Sequence, residues 1–367
     1  MTGDLLGVLL PLRMPQIAAL GALAWVTKCV WSHATSPLKR YPGPYLAGWT
    51  NLWRFYHVLP LDSHLVVEAL HDKYEPVDPS LVKTISKYQD DWVKTEFYHG
   101  GSTRSWSGKV TYNIFGLSDR QDHANVKKPI GMLYSPANAL AIEGHVDKAI
   151  SRFWEELEAR FIDGSNADTS CALEEWFLYC NQQFGYMKHG RDFDGTLTDS
   201  EMTMSYLSRH PRKLPYLGAI IRECIRLHPA VEMPLERYVP EGGLRLPDGS
   251  LVPAGSMVGI NSYLVNRTAV FGEDPDVFRP ERWLRGSGEG PGEYQSRLTA
   301  MHNADLTFGA GSRICSGRHI ANLELYKLIA TLVIRYEVGL VDPKKTWEVK
   351  HGGFLRQSGV NVRLQRR

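Results

Sequence analysis

Residues 307–319, TFGAGSRICSGRH, constrain the fold of this 367-residue chain more than any other stretch. Cys315 stands among Gly309, Gly311 and Gly317, with Arg313 two places before it and an apolar helical pattern, Ile320 to about Ile334, after it. Glycine at this density costs conformational entropy, so the loop needs either a left-handed backbone or the close approach of something to bare main chain. A dinucleotide cradle would use Gly309-x-Gly311 before a helix, but the third glycine is misplaced and the preceding strand is no more than Leu306-Thr307-Phe308. A phosphate loop lacks its closing Gly-Lys-Ser/Thr. A buried cysteine serving as a small hydrophobe is a common arrangement, yet it leaves Arg313 and the glycines without a purpose.

The remaining reading makes Cys315 a thiolate ligand to haem iron. Bare backbone at 309, 311 and 317 lets a flat macrocycle come close, and the N-terminus of the following helix lowers the thiol pKa. Arg313 can fork onto a propionate carboxylate. The pattern Phe308-x-x-Gly311-x-Arg313-x-Cys315-x-Gly317 resembles the haem-binding signature of the cytochrome P-450 superfamily. Two further elements precede it in the family's order: Glu223-x-x-Arg226 in RECIRLHPA, and FRPERW with Arg282. Taken alone, a Glu-Arg pair three residues apart on a helix is more often a surface pair of about 0.2–0.5 kcal/mol.

The resemblance implies a mainly α fold with a minor β-sheet, the cytochrome P-450-like haem-thiolate fold, here incomplete, with an N-terminal membrane helix. It implies haem b held by Cys315 as axial ligand, with Phe308, Gly309, Gly311, Arg313, Gly317 and Arg237 binding the cofactor, and a structural network of Glu223, Arg226 and Arg282 beneath the loop. It implies a monooxygenase that takes dioxygen and electrons from an NADPH-dependent flavoprotein reductase to oxidise a small lipophilic molecule. RYPGP and its surroundings are similar to membrane-bound fungal enzymes of secondary metabolism. The chain also departs from the family. The Ala/Gly-Gly-x-Asp/Glu-Thr-Thr/Ser stretch of the oxygen-activating helix occurs nowhere, so no catalytic acid-alcohol pair is identified. Residues 186–214 and 71–80 read as sites of internal shortening. The usual Trp-x-x-x-Arg haem contact is missing, with His123, Lys127 and Lys128 as substitutes in DHANVKKPI. Two alternatives stay open: a truncated, non-catalytic remnant, and a reductase-independent haem-thiolate isomerase or dehydratase.

From Leu5 to Val26 the only charge is Arg13, and as a helix those 22 residues would span roughly 33 Å, enough for a bilayer. Arg13 at mid-span costs about 2.5–3.5 kcal/mol on insertion scales, which leaves a shorter or monotopic segment open. A secretory signal peptide is the rival, without a clean small-residue cleavage site. Lys28, Lys39 and Arg40 follow the apolar run and keep the rest of the chain cytoplasmic by the positive-inside rule. The expected organisation is a membrane anchor over 1–32, at the endoplasmic reticulum, a Pro-rich non-helical hinge over 33–49, and a catalytic domain over 50–367. A net charge of +2 gives no reason to expect nucleic acid as a partner. Five scattered cysteines without C-x-x-C exclude a disulfide framework or zinc cluster as the organising feature.

The same reading places an amphipathic helix over 144–162, carried by Val146, Ile150, Phe153, Trp154, Leu157 and Phe161. It places a strong helix at PYLGAIIRECIRLHPA, short hairpin strands in GGLRLPDGSLVPAGSMVGINSY, and a strand at the C-terminal tail.

Overall fold

A computed structural model describes residues 14–58, 63–74, 78–86, 92–162, 171–172, 215–346, 348–351, 355–359 and 361–367. The chain divides into two units, residues 1–75 and 76–367.

In the first unit, helix α1 runs Met14–Thr35 with no buried residue. The apolar run Leu5–Val26 therefore straddles the start of the described residues, and α1 extends past it through Lys28, Ser32 and His33. Among the described residues no helix is long and apolar enough to cross a membrane; the expected span Leu5–Val26 lies partly outside the described residues. The Pro-rich segment, expected to be non-helical, contains helical turns. Single 3-10 turns form at Pro37–Arg40 and Tyr45–Gly48. Pro37 suits a first helical position, which needs no donor, and the Ser36 hydroxyl accepts the Leu38 N–H. His33 stacks on Trp49 at 4.1 Å and contacts the Gly48 carbonyl at 3.0 Å, so the segment folds back on α1 instead of extending as a spacer. Helices α2 (Leu52–Val58) and α3 (Ser63–Tyr74) complete the unit, which ends at Glu75.

The second unit is mainly helical with small sheets. Helix α4 (Arg120–Gly131) is capped by Asp119, whose side chain accepts the Asp122 N–H at 2.7 Å. Helix α5 (Glu143–Phe161) buries Val146, Ile150, Phe153, Trp154 and Leu157, the 3.6-period face expected of it. Their core continues through Leu323, Tyr336 and Val362. Helix α6 (Pro215–Leu227) carries Glu223 and Arg226; helix α7 (Pro291–Ala304) and helix α8 (Arg318–Arg335) follow. A second core, of Ala219, Phe271, Trp283, Met301 and Ala304, lies against α6. Where α6 meets α8, a Cβ at Gly218 would lie 2.5 Å from the Tyr326 hydroxyl, so glycine permits the close crossing.

Strand Tyr336–Leu340 pairs antiparallel with Asn361–Arg366, in register Tyr336 with Arg366, and Cys171–Ala172 joins the other edge of the latter. The Pro247-Asp248-Gly249 turn closes the hairpin Leu244–Arg245 with Leu251–Val252; Gly249 sits at φ +85, which favours glycine. Buried Lys327 of α8 ties that helix to α5, 2.9 Å from Glu143 and hydrogen bonded to Asp147. Residues 186–214 lie outside the described residues, as do 75–77 within the 71–80 stretch.

Candidate functional site

The loop that carries Cys315 is built from local constraints. Gly309 donates to the Leu306 carbonyl at 2.9 Å and Cys315 donates to the Phe308 carbonyl at 2.8 Å, closing the loop with Phe308 half-buried at its start. Gly309 and Gly311 adopt φ of +72 and +62. At Gly311 the close neighbour is protein: a Cβ there would lie 1.8 Å from the Ser86 carbonyl oxygen. Gly317 caps α8, and its bare Cα faces the sulfur, with a built Cβ 3.9 Å from Sγ. The Cys315 thiol is free and exposed, just ahead of an 18-residue helix.

Glu223, Arg226 and Arg282 meet in the interior. Glu223 is fully buried and accepts from Arg226 Nη2 at 2.8 Å and Nε at 2.9 Å, from Arg282 Nε at 2.8 Å, from the Arg279 N–H at 3.0 Å and from Trp283 Nε1 at 2.9 Å. Burial alone would raise its pKa. The Arg226 hydrogen bonds and charge, with the Arg279 N–H and Trp283, more than offset that and hold it below the usual carboxylate value. Asn266 joins the network to the cysteine loop. It donates to the Arg226 carbonyl at 3.3 Å and to Thr307 Oγ1 at 3.2 Å, and its Oδ1 accepts the Leu306 N–H at 3.0 Å. No sequence signal marks Asn266, because its partners lie 40 and 41 positions away.

Arg313 reaches across the fold: Nη1 donates to the Leu117 carbonyl at 3.0 Å, and Nη2 to the Ser118 and Asp119 carbonyls at 3.1 and 3.4 Å. Lys127 of α4 donates to the Ser312 carbonyl at 2.9 Å. His123 is brought near enough for burial and the charges of Arg313, Lys127 and Lys94 to depress its pKa to about 4. Lys128 is exposed and no contact ties it to the loop. Arg237 is buried and donates to the Tyr98 hydroxyl and the Glu236 carbonyl, both at 2.7 Å. Beside it stands Lys94, which sequence reasoning missed. It is buried, pairs with Arg237 across an isolated antiparallel bridge, and donates to the Phe115 carbonyl at 2.7 Å.

Five basic side chains, Lys94, His123, Lys127, Arg237 and Arg313, thus converge, and among the described residues none forms an ion pair with a carboxylate. Their mutual repulsion shows in the lowered pKa values of Lys94, His123, Lys127 and Arg313, in each case with burial as the largest cause. An anion is what this arrangement lacks. Among the described residues no group of three or more His, Cys, Asp or Glu side chains is placed to hold a metal ion.

Residues 197–361 match the Cytochrome P450 family model. The cytochrome P450 monooxygenase pkfB of Emericella nidulans is 46% identical, over 89% of this chain and 91% of that protein. The chain belongs to the cytochrome P450 family. The cytochrome P450 monooxygenase cfoH of Aspergillus candidus is 29% identical over 91% of this chain and 89% of its own length. The pkfB alignment runs over 472 positions, more than the 367 residues of this cytochrome P450, so that relative carries internal residues for which this chain has no counterpart. Family membership implies a haem-thiolate cofactor.

Proposed function

We propose that this chain is a haem-thiolate monooxygenase of fungal secondary metabolism that oxidises a small lipophilic molecule. The observation that carries the reading is the exposed Cys315 thiol ahead of α8 beside five basic groups that form no ion pair with a carboxylate among the described residues. A haem b macrocycle fits that donor set, because it brings one soft-ligated metal and two carboxylates. Cys315 would ligate the iron through its thiolate. Arg313 and Arg237 would meet the propionates, joined by Lys94 and Lys127 in place of the family's Trp-x-x-x-Arg. Phe308, Gly309, Gly311 and Gly317 would shape the loop around the ligand, while Glu223, Arg226, Arg282 and Asn266 hold that loop from beneath. When bound, the haem supplies the redox chemistry of oxygen insertion, to which a thiolate ligand contributes electron density favouring O–O cleavage.

The relatives' names, all cytochrome P450 monooxygenases of filamentous fungi, support the reaction class. The electron donor in this reading is an NADPH-dependent flavoprotein reductase. The N-terminal segment associates with the endoplasmic reticulum membrane and leaves the larger unit facing the cytosol. Exposed Leu20, Leu23, Trp25 and Trp31 of α1, with the apolar residues before it, support that placement.

A second reading, a remnant that has lost catalysis, is favoured by one observation: the alignment gaps, together with the missing acid-alcohol stretch. The deciding experiment is the reduced, carbon-monoxide-bound absorption spectrum of the full chain beside Cys315→Ala. The expected result is a strongly red-shifted Soret band that disappears in the variant. A chain that retains no haem, or a band indifferent to the substitution, overturns the first reading. A proper band without NADPH consumption in the presence of reductase and lipophilic substrates supports the remnant.

A further inference from the structure

The basic groups around the cysteine loop come from separate parts of the second unit: Lys94, Arg237 on the adjoining strand, His123 and Lys127 on α4, and Arg313 on the loop itself. Lys94 is the most enclosed amine of the set, 5% exposed. Besides donating to the Phe115 carbonyl, its ammonium faces the Tyr98 and Phe115 rings, at 4.4 and 4.8 Å from their centroids. These partners are neutral. The acids on the neighbouring elements are engaged elsewhere: Glu236 accepts the Thr95 hydroxyl at 2.9 Å, Glu96 accepts the Tyr238 hydroxyl, and Asp119 caps α4. Among the described residues no carboxylate forms an ion pair with Lys94, while the charges of Arg237, Arg313 and Lys127 act against its own.

We infer that Lys94 is a cofactor-positioning residue whose protonation is coupled to haem loading: the carboxylates of the incoming macrocycle and a proton from solvent enter the site together. The inference rests on the haem reading above. Its physical basis is a balance that an anion reverses. Burial first, then the charges of Arg237, Arg313 and Lys127, bring the Lys94 pKa down to about 7. Carboxylates placed among these groups favour the ammonium and raise that pKa again, so above neutral pH the site must gain a proton to accept its ligand. Haem affinity then weakens as pH rises through 7. Cys315 contributes in the opposite direction, since its thiol loses a proton on ligation, and the Lys94 contribution must be isolated by comparison.

The test is a titration of full-length apoprotein with ferric protoporphyrin IX between pH 6 and 8.5, followed by Soret absorbance and tryptophan quenching, for the native chain and Lys94→Arg. The guanidinium stays charged throughout, whereas the Cys315 contribution is common to both. The expected result is a ratio of dissociation constants, native over variant, that grows by up to ~30-fold across that range. Calorimetry at pH 8 in two buffers of unlike ionisation enthalpy gives a second reading: the native chain takes up about one more proton per haem than Lys94→Met or Lys94→Arg. A ratio flat with pH, or equal proton counts, overturns the inference while leaving the haem reading intact. Failure of the native chain to bind haem at pH 6 overturns both.

Discussion

At Gly311 backbone and packing impose the same requirement independently. A side chain at φ +62 is strained, and its first carbon would also meet the Ser86 carbonyl at 1.8 Å. Gly311→Ala is therefore expected to lower stability by about 3 kcal/mol or more, read as a shift in the urea unfolding midpoint. Gly317→Ala serves as the control, since its φ is −75 and its nearest neighbour is the sulfur at 3.9 Å; its effect on global stability should be much smaller. The two glycines read alike in the sequence and differ in what surrounds them. The spacing marks both, but only the fold shows that one abuts protein backbone and the other a thiol.

Helix α6 presents Glu223 and Arg226 one turn apart on its buried face, and the segment around Arg282 closes on them. Replacing Glu223 with alanine leaves two buried guanidiniums without their carboxylate and is expected to destabilise the chain by about 3–5 kcal/mol. The milder Glu223→Gln gives a pH signature. The folded pKa of Glu223 lies below the ordinary 4.5, so its contribution is fully present above that value and is lost as pH falls through the folded one. The stability gap between the native chain and Glu223→Gln should thus be constant from pH 7 to about 5 and narrow as pH drops further, measured by urea unfolding at each pH. Helices α5, α6 and α8 were legible in the sequence because each repeats an apolar face at helical spacing. The meeting of Glu223, Arg226 and Arg282 was legible because their spacing resembles a known motif, the same resemblance that singles out Cys315. Lys94 and Asn266 were not: each is a single polar residue in an unremarkable segment, and its importance comes from partners brought near only by folding. At the N-terminus the apolar run Leu5–Val26 lies partly outside the described residues, and α1 continues past it into polar residues because apolar composition does not fix where a helix ends.

Across the second unit, α5 and α8 share an aromatic and aliphatic core and also a buried lysine with two carboxylates. Lys327→Met would leave Glu143 and Asp147 buried without that cation. The expected loss is about 3 kcal/mol or more at pH 7 by urea unfolding, recovered in part when Asp147 is also replaced by a neutral residue. α8 follows directly from the cysteine loop, so this ion cluster anchors the helix that leaves the loop, while Asn266 ties the loop's start to the Arg226 carbonyl. The loop is also held by Arg313, whose contacts with Leu117, Ser118 and Asp119 span 194 to 196 positions of sequence. Contacts of such separation close slowly, because the entropy of a long loop must be overcome before they form. These contacts therefore carry a larger closure cost than the short-range bonds that shape the cysteine loop itself. Closing them also brings Arg313 to Lys94, Lys127 and Arg237, whose like charges oppose the approach, so an anionic ligand seated among these groups would tighten the joint between distant parts of the chain.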